Sequence, residues 1–321
     1  MSSLDRILPF LHPIEDLLAD RDITEVMVNA GGRRVFVERS GRLHLVDGRV
    51  LEVRNLMVAI KNIARACGDE ISEHQPILDA RLEDGSRVAA MFPPCSVDGP
   101  TLTVRKFGRR YTLDELVAVG MLTGEQAQAL QEAVREGRNI LISGGTGTGK
   151  TTLLNALAAT IPAEDRVVLI EETSEIELNL PNVVRFEARR AVAPMGQEAE
   201  TPAVTISDLV RATLRHRPDR IILGEVRGAE AADLLQALNT GHRGSLCTIH
   251  ANTAEQAPIR LAHCVLSAGT GLTLAAVDDA VQRVVDVVVH LERSHGSRAV
   301  SRLVTRSGGI GLRRARVSDL A

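Results

Sequence analysis

Eight consecutive residues, Gly144-Gly145-Thr146-Gly147-Thr148-Gly149-Lys150-Thr151, spell G-x-x-x-x-G-K-T. An apolar stretch precedes them and a helical pattern over 152–159 follows, the strand–loop–helix context that this motif needs. Glycines let successive backbone N–H groups turn inward around phosphate oxygens, and the N-terminus of the helix, opening through Thr152, adds its dipole. The spacing predicts that Lys150 contacts the β- and γ-phosphates and that the Thr151 hydroxyl ligates Mg²⁺, so ATP and Mg²⁺ are the expected ligands. Lys150 is one of only three lysines, with Lys61 and Lys106, among 38 basic residues. A chain that otherwise uses arginine keeps a compact point charge here, where a guanidinium fork has the wrong shape.

Three further segments carry groups suited to hydrolysis. Residues 220–225 form an apolar run ending in Gly224-Glu225. A carboxylate at such a strand end lies beside the ligand crevice of a parallel sheet, where it can order the metal's water shell or take a proton from the attacking water. Residues 168–173 form a second apolar run, ending in Glu171 and Glu172, and two strand-end acid sites would flank metal and water on two sides. The run from Gly241 to Asn252 places His242 in a glycine-flanked turn and His250 at the end of the strand that follows. Either imidazole could hydrogen-bond the γ-phosphate or relay its presence. Each feature has a plainer alternative: surface carboxylates at strand ends, and a histidine satisfied within a core. A zinc site would need an H-E-x-x-H or a nearby cysteine pair, and neither is present.

The elements that must position these groups are legible as patterns. Apolar runs at 139–142, 167–170, 220–223 and 245–249 alternate with helical segments, which indicates a mostly parallel sheet buried on both faces. Helix starts are marked by Thr112 with Glu115, Thr123 with Gln126 and Thr253 with Gln256, all at capping-box spacing, and more weakly by Thr205 with Asp208. Before them, residues 1–105 mix strand candidates (24–28, 34–38, 87–91, 102–104) with an amphipathic helix over 51–66, and Gly31-Gly32 suits a hairpin turn. The expected organisation is a small α+β domain over 1–105, a basic linker over 106–112 and an α/β P-loop domain over 113–321. The stretch 191–203 reads as an exposed loop.

Composition narrows the function. A chain of 321 residues exceeds one comfortable core, and 44% hydrophobic with 25% charged residues is ordinary for a globular protein. A net charge of -3 and only five Phe, one Tyr and no Trp argue against a stacking surface for single strands. The basic cluster Arg313-Arg314-Ala315-Arg316 reads as a solvated tail. Cys67, Cys95, Cys247 and Cys264 form no C-x-x-C pair, so they read as small apolar residues. Acidic and proline residues spoil a secretory h-region over 1–20, and the apolar run at 284–291 is too short to span a bilayer. A cytoplasmic protein, peripheral on a membrane, is the expectation.

The phosphate loop, Ile170-Glu171-Glu172-Thr173, Leu223-Gly224-Glu225-Val226-Arg227 and the Gly241 to Asn252 histidine run occur in this order and spacing. Together they resemble the Walker A, Asp box, Walker B and His box of the type II/type IV secretion ATPases, over most of 113–291. Glu172 stands where that family usually has Asp. Within the family, Asp22-Ile23-Thr24-Glu25-Val26-Met27-Val28-Asn29 and the short chain resemble the TrbB-like conjugal-transfer branch; the tetracysteine insert common in type II members is missing, and pilus-retraction members are similar in size. The resemblance implies a RecA-like fold, a homohexameric ring and arginines from the N-terminal side completing the site. Arg105 occupies the matching position, Arg81 or Arg87 is a second candidate, and Arg227 could act across a subunit contact. It further implies a cytoplasmic motor that hydrolyses ATP for a conjugative type IV secretion or pilus apparatus, with inner-membrane components as partners. A type IV pilus or type II secretion motor, a RecA-like nucleic-acid motor and a non-catalytic nucleotide-binding scaffold are the alternatives.

Overall fold

The computed structural model describes residues 10–20, 22–39, 41–82, 84–106, 111–189, 202–294, 297–306 and 312–314. Residues 107–110 of the expected linker, nearly all of the loop expected over 191–203, residues 1–9 of the N-terminal segment and the end of the basic tail lie outside the described residues. The chain divides into two compact units, 1–109 and 110–321.

In the first unit, helix α1 (Glu15–Ala19) precedes strands β1 (Ile23–Asn29), β2 (Arg34–Arg39) and β3 (Arg42–Val46). Helix α2 (Val53–Ala66) follows, then strands β4 (Ile77–Arg81), β5 (Arg87–Met91) and β6 (Thr101–Arg105). They make one antiparallel sheet in the order β3-β2-β1-β6-β5-β4. Period-two alternation puts Val26, Val28, Val35, Val37, Val88, Ala90, Leu102 and Val104 on one face. Leu56, Ile60, Ile63 and Ala64 of α2 join the same core. Gly31 turns the chain between β1 and β2 within a short 3-10 segment. Strands β3 and β4 were not legible in the sequence; on β3, Leu43 and Leu45 point outward at an edge of the sheet.

The second unit opens with helices α3 (Leu113–Ala118) and α4 (Gly124–Arg135). Strand β7 (Ile140–Gly144), helix α5 (Lys150–Ala158) and strands β8 (Val167–Glu171) and β9 (Val183–Glu187) follow. Helix α6 (Ile206–Thr213), strand β10 (Arg220–Val226), helix α7 (Glu230–Asn239) and strand β11 (Leu246–Ile249) come next. Helices α8 (Gln256–Ser267) and α9 (Leu274–Val284) lead to strands β12 (Val287–Ser294), β13 (Ser297–Arg306) and β14 (Leu312–Arg314). The sheet order is β14-β13-β12-β7-β11-β10-β8-β9. From β12 to β9 every pair is parallel, and β13 and β14 add antiparallel strands at one end. This is the expected α/β architecture, following a smaller α+β unit in the chain.

Both faces of the sheet are covered, which is why its central strands are continuously apolar. Leu130, Leu153 and Leu157 from α4 and α5 pack on one face. Val210, Leu234, Leu261 and Val277 from α6 to α9 pack on the other. Thr112, Thr123 and Thr205 each form a full capping box. Thr253 differs from its expected role: its hydroxyl accepts the Gln256 N–H, but the helix begins at Gln256, so Thr253 braces the turn before α8 rather than capping it.

Buried polar side chains fix the strand starts. Asn139 donates from Nδ2 to the Val284 carbonyl at 2.8 Å and accepts the Ser245 N–H at 3.0 Å. Its own N–H bonds Asp286 at 3.0 Å, so one residue ties the entries of β7, β11 and β12 together. The ends that matter for chemistry, Gly144, Glu171, Glu225 and Ile249, consequently share the carboxyl edge of the sheet, where open parallel sheets bind ligands.

Candidate active site

The phosphate loop leaves β7 at Gly144 and enters α5 at Lys150. Gly149 has φ 96°, so the backbone there favours glycine, while a Cβ would press only on the flexible end of Met121. Thr148 is buried and its hydroxyl donates to the Gly145 carbonyl at 3.0 Å, closing the turn from inside. Gly145, Thr146 and Gly147 form the exposed tip, and Thr151 and Thr152 sit half-buried in the first turn of α5. Lys150 is only 8% exposed. It donates to the Gly144 and Gly145 carbonyls at 3.1 and 2.9 Å and lies 3.4 Å from His250 Nδ1. Burial lowers its pKa; the Glu225 carboxylate works against this and the Arg227 charge adds to it.

The acids on neighbouring strands have separate jobs. Glu171 is 4% exposed, and its Oε1 accepts the N–H groups of Glu175 and Ile176 at 2.8 and 3.0 Å. It fastens the segment after β8 to the sheet edge, a clamp that its expected catalytic role did not include. Glu172 is half exposed and pairs with Arg227 Nη1 at 2.5 Å. Glu225 Oε2 accepts from Arg227 Nη2 at 2.7 Å. Arg227 therefore bridges Glu172 and Glu225 within one chain, and its pKa is raised chiefly by the bond to Glu225, with burial opposing.

A bulge aims Glu225. Leu223 pairs with Cys247 and Val226 with Ile249, so Gly224 and Glu225 together oppose the single residue Thr248. The Thr248 hydroxyl donates to the Gly224 carbonyl at 2.6 Å and pins the bulge. Glu225 Oε1 then lies 2.7 Å from His250 Nε2 without an aligned hydrogen bond, so among the described residues this buried oxygen has a close ionic neighbour but no hydrogen-bond partner. His250 has its pKa lowered by burial first and then by the Lys150 charge, against the pull of Glu225, which favours a neutral imidazole.

One expected residue, His242, is not brought to the loop. His242 precedes β11, whereas the loop follows β7, and these strands run parallel with Leu246 opposite Ile140. His242 is thus at the opposite edge of the sheet, the length of a strand away, with Nδ1 3.1 Å from the Ala237 carbonyl at the end of α7. It closes a helix terminus there. Arg105 ends β6 in the first unit, opposite Glu25 and Arg87. Burial raises the Glu25 pKa, with Arg105 opposing. Arg81 and Arg87 face each other across β4 and β5.

Sequence reasoning missed His290, Ser143 and Thr248. His290 is 2% exposed on β12, with Nδ1 2.9 Å from the Ser143 hydroxyl on the residue before the loop. Burial lowers its pKa, opposed by Glu292, the Asn252 backbone and Glu255. A polar residue inside an apolar run was the available signal for all three.

The donors at the loop suit Mg²⁺. They are hydroxyl and carboxylate oxygens, and Glu225 Oε1 is an unsatisfied buried acceptor beside them. Among the described residues no cluster of three His, Cys, Asp or Glu could hold a metal alone. Mg²⁺ typically takes one or two protein oxygens and completes its shell with phosphate and water.

The chain matches the family described as type II/IV secretion system protein over residues 10–310. It is 37% identical over 292 residues to the conjugal transfer protein TrbB of Rhizobium radiobacter, covering 89% of this chain and 84% of the relative. Identity to the type IV secretion system protein PtlH of Bordetella pertussis is 36% over 331 residues, covering 94% of each. Among solved structures, the ATPase DotB of Legionella pneumophila matches in fold with a TM-score of 0.61 at 21% identity, covering 92% of this chain and 78% of that one.

Proposed function

The chain belongs to the type II/IV secretion system protein family, and from this premise we propose that it hydrolyses ATP to power a conjugative type IV secretion or pilus apparatus. In this reading it works as a homohexameric ring on the cytoplasmic face of the inner membrane and acts on components of that apparatus. One observation carries the chemistry: Lys150, His250 and Glu225 converge at the end of the phosphate loop, with His250 3.4 Å from one and 2.7 Å from the other.

The loop amides and Lys150 hold the β- and γ-phosphates of ATP, with Thr146, Thr148 and Thr152 shaping the cradle around them. Thr151 and Glu225 would hold Mg²⁺, which when bound neutralises charge on the phosphate oxygens. Glu225 accepts a proton from the attacking water as a new oxygen–phosphorus bond forms and the β–γ bridging bond breaks, releasing ADP and phosphate. His250, neutral beside Lys150, donates a single hydrogen bond to the γ-phosphate and passes its loss to the bulge at Gly224. Arg227 holds Glu172 and Glu225 in register, and Arg105 supplies further positive charge to the phosphoryl group as it transfers.

A Glu225→Gln variant tests this directly. It should bind ATP as wild type does while phosphate release falls by at least about 100-fold, the usual contribution of a positioned base. Hydrolysis at the wild-type rate would remove Glu225 from the mechanism.

A further inference from the structure

The sheet order gives the phosphate loop two unlike flanks. On one side of β7 lie β11 and β10, which bring His250 and Glu225; on the other lies β12, paired with β13. Arg293 of β12 and Arg298 of β13 stand directly opposite each other in that antiparallel pair. Both reach the loop. Arg293 Nη1 would be 3.7 Å from a Cβ on Gly147, and Arg298 Cδ 3.8 Å from a Cβ on Gly149. The Arg293 guanidinium and the Arg298 side-chain stem therefore border the loop on the flank away from the acids.

A nucleotide threaded through the loop has its γ-phosphoryl beside Glu225, where water attacks, so its nucleoside end leaves on the β12 flank. A purine there needs a flat, polarisable partner. Aromatic rings are scarce: within 110–321 the sequence holds only Tyr111 and Phe186. Phe186 sits on β9 at the far edge of the sheet, edge-to-face with His216 at 5.2 Å, and Tyr111 packs on the core formed with α3 and α4. Guanidinium planes stack on aromatic faces and carry a charge that a base attracts, a combination an ammonium lacks.

We infer that Arg293 and Arg298 form the base-binding end of the nucleotide site, their guanidinium planes packing against the purine of ATP or ADP. This rests on the proposed nucleotide site at the loop and adds the part that reads the nucleoside.

The test is calorimetric titration of the full chain with ADP and, separately, with inorganic tripolyphosphate, which carries the charge without the base. In R293A/R298A, ADP affinity should fall at least about tenfold more than tripolyphosphate affinity, as expected for loss of a desolvated cation–π contact. In R293K/R298K, which keeps the charge but not the planar group, tripolyphosphate affinity should return to the wild-type value while ADP stays weakened. Unchanged ADP affinity in the alanine variant, or equal losses for both ligands, would overturn the inference while leaving the loop's role intact. A wild-type chain that binds neither ligand would overturn both.

Discussion

Lys150 and His250 share one charge. The ammonium is held 3.4 Å from the imidazole, and its charge helps to keep His250 neutral, second only to burial. Replacing Lys150 by methionine should therefore raise the His250 pKa, followed by NMR titration of the imidazole, and abolish phosphate release; an unmoved titration would mean that burial alone sets it. His290 makes a complementary prediction for stability. Its folded pKa is lowered by burial below the ordinary value of 6.5, so the unfolded chain binds a proton that the folded one refuses. The stability from the neutral imidazole is present above that value and is lost as pH falls below it. Urea unfolding of His290→Gln should show a shallower loss between pH 8 and pH 5 than wild type; parallel curves would show that other groups govern the acid limb. Lys150 was legible in the sequence because the motif and its neighbours admit one chemistry. His290 was not, because a single histidine in a valine-rich strand declares its partner only when β12 is laid against Ser143.

Elements decide which of the legible residues meet. The histidine run reads as one unit in the sequence, but β11 occupies its middle, so His250 reaches the loop and His242 closes α7 at the other edge. The bulge at Gly224 and Glu225 was equally hidden: its cause is a register slip against Thr248, a relation between strands rather than along one. Helix starts were legible at Thr112, Thr123 and Thr205 because a capping box is local, and Thr253 departed from its pattern where the following turn took precedence. Asn139 shows how much the sheet edge depends on a residue of no catalytic type. Asn139→Ala would strand the Val284 carbonyl and the Ser245 N–H in the core, costing about 2 to 5 kcal/mol for two buried groups left unsatisfied. Chemical denaturation measures this, and a loss under about 0.5 kcal/mol would mean that the strand entries are held by packing instead.

At the scale of the molecule, the chain divides into two compact units. A ring is a property that neither unit displays alone, since its interface joins two different faces of one surface and closes only by rotation. Two groups are open to such a neighbour: the side chains of Arg227, 62% exposed, and Glu172, 55% exposed, both at the carboxyl edge beside Glu225. If nucleotide orders that edge, assembly should follow ATP. Mass photometry of the wild-type chain should then show a species of six-subunit mass with ATP and far less without it. The Glu225→Gln variant, which holds ATP unhydrolysed, should keep that species longest, and Lys150→Ala should fail to form it. Arg105→Ala should lower turnover while leaving nucleotide affinity at the loop within a few-fold, because its proposed charge acts on the phosphoryl group in transfer. A chain that hydrolyses ATP at full rate as a monomer would refute the ring as the working unit, and wild-type turnover in Arg105→Ala would remove that arginine from the site.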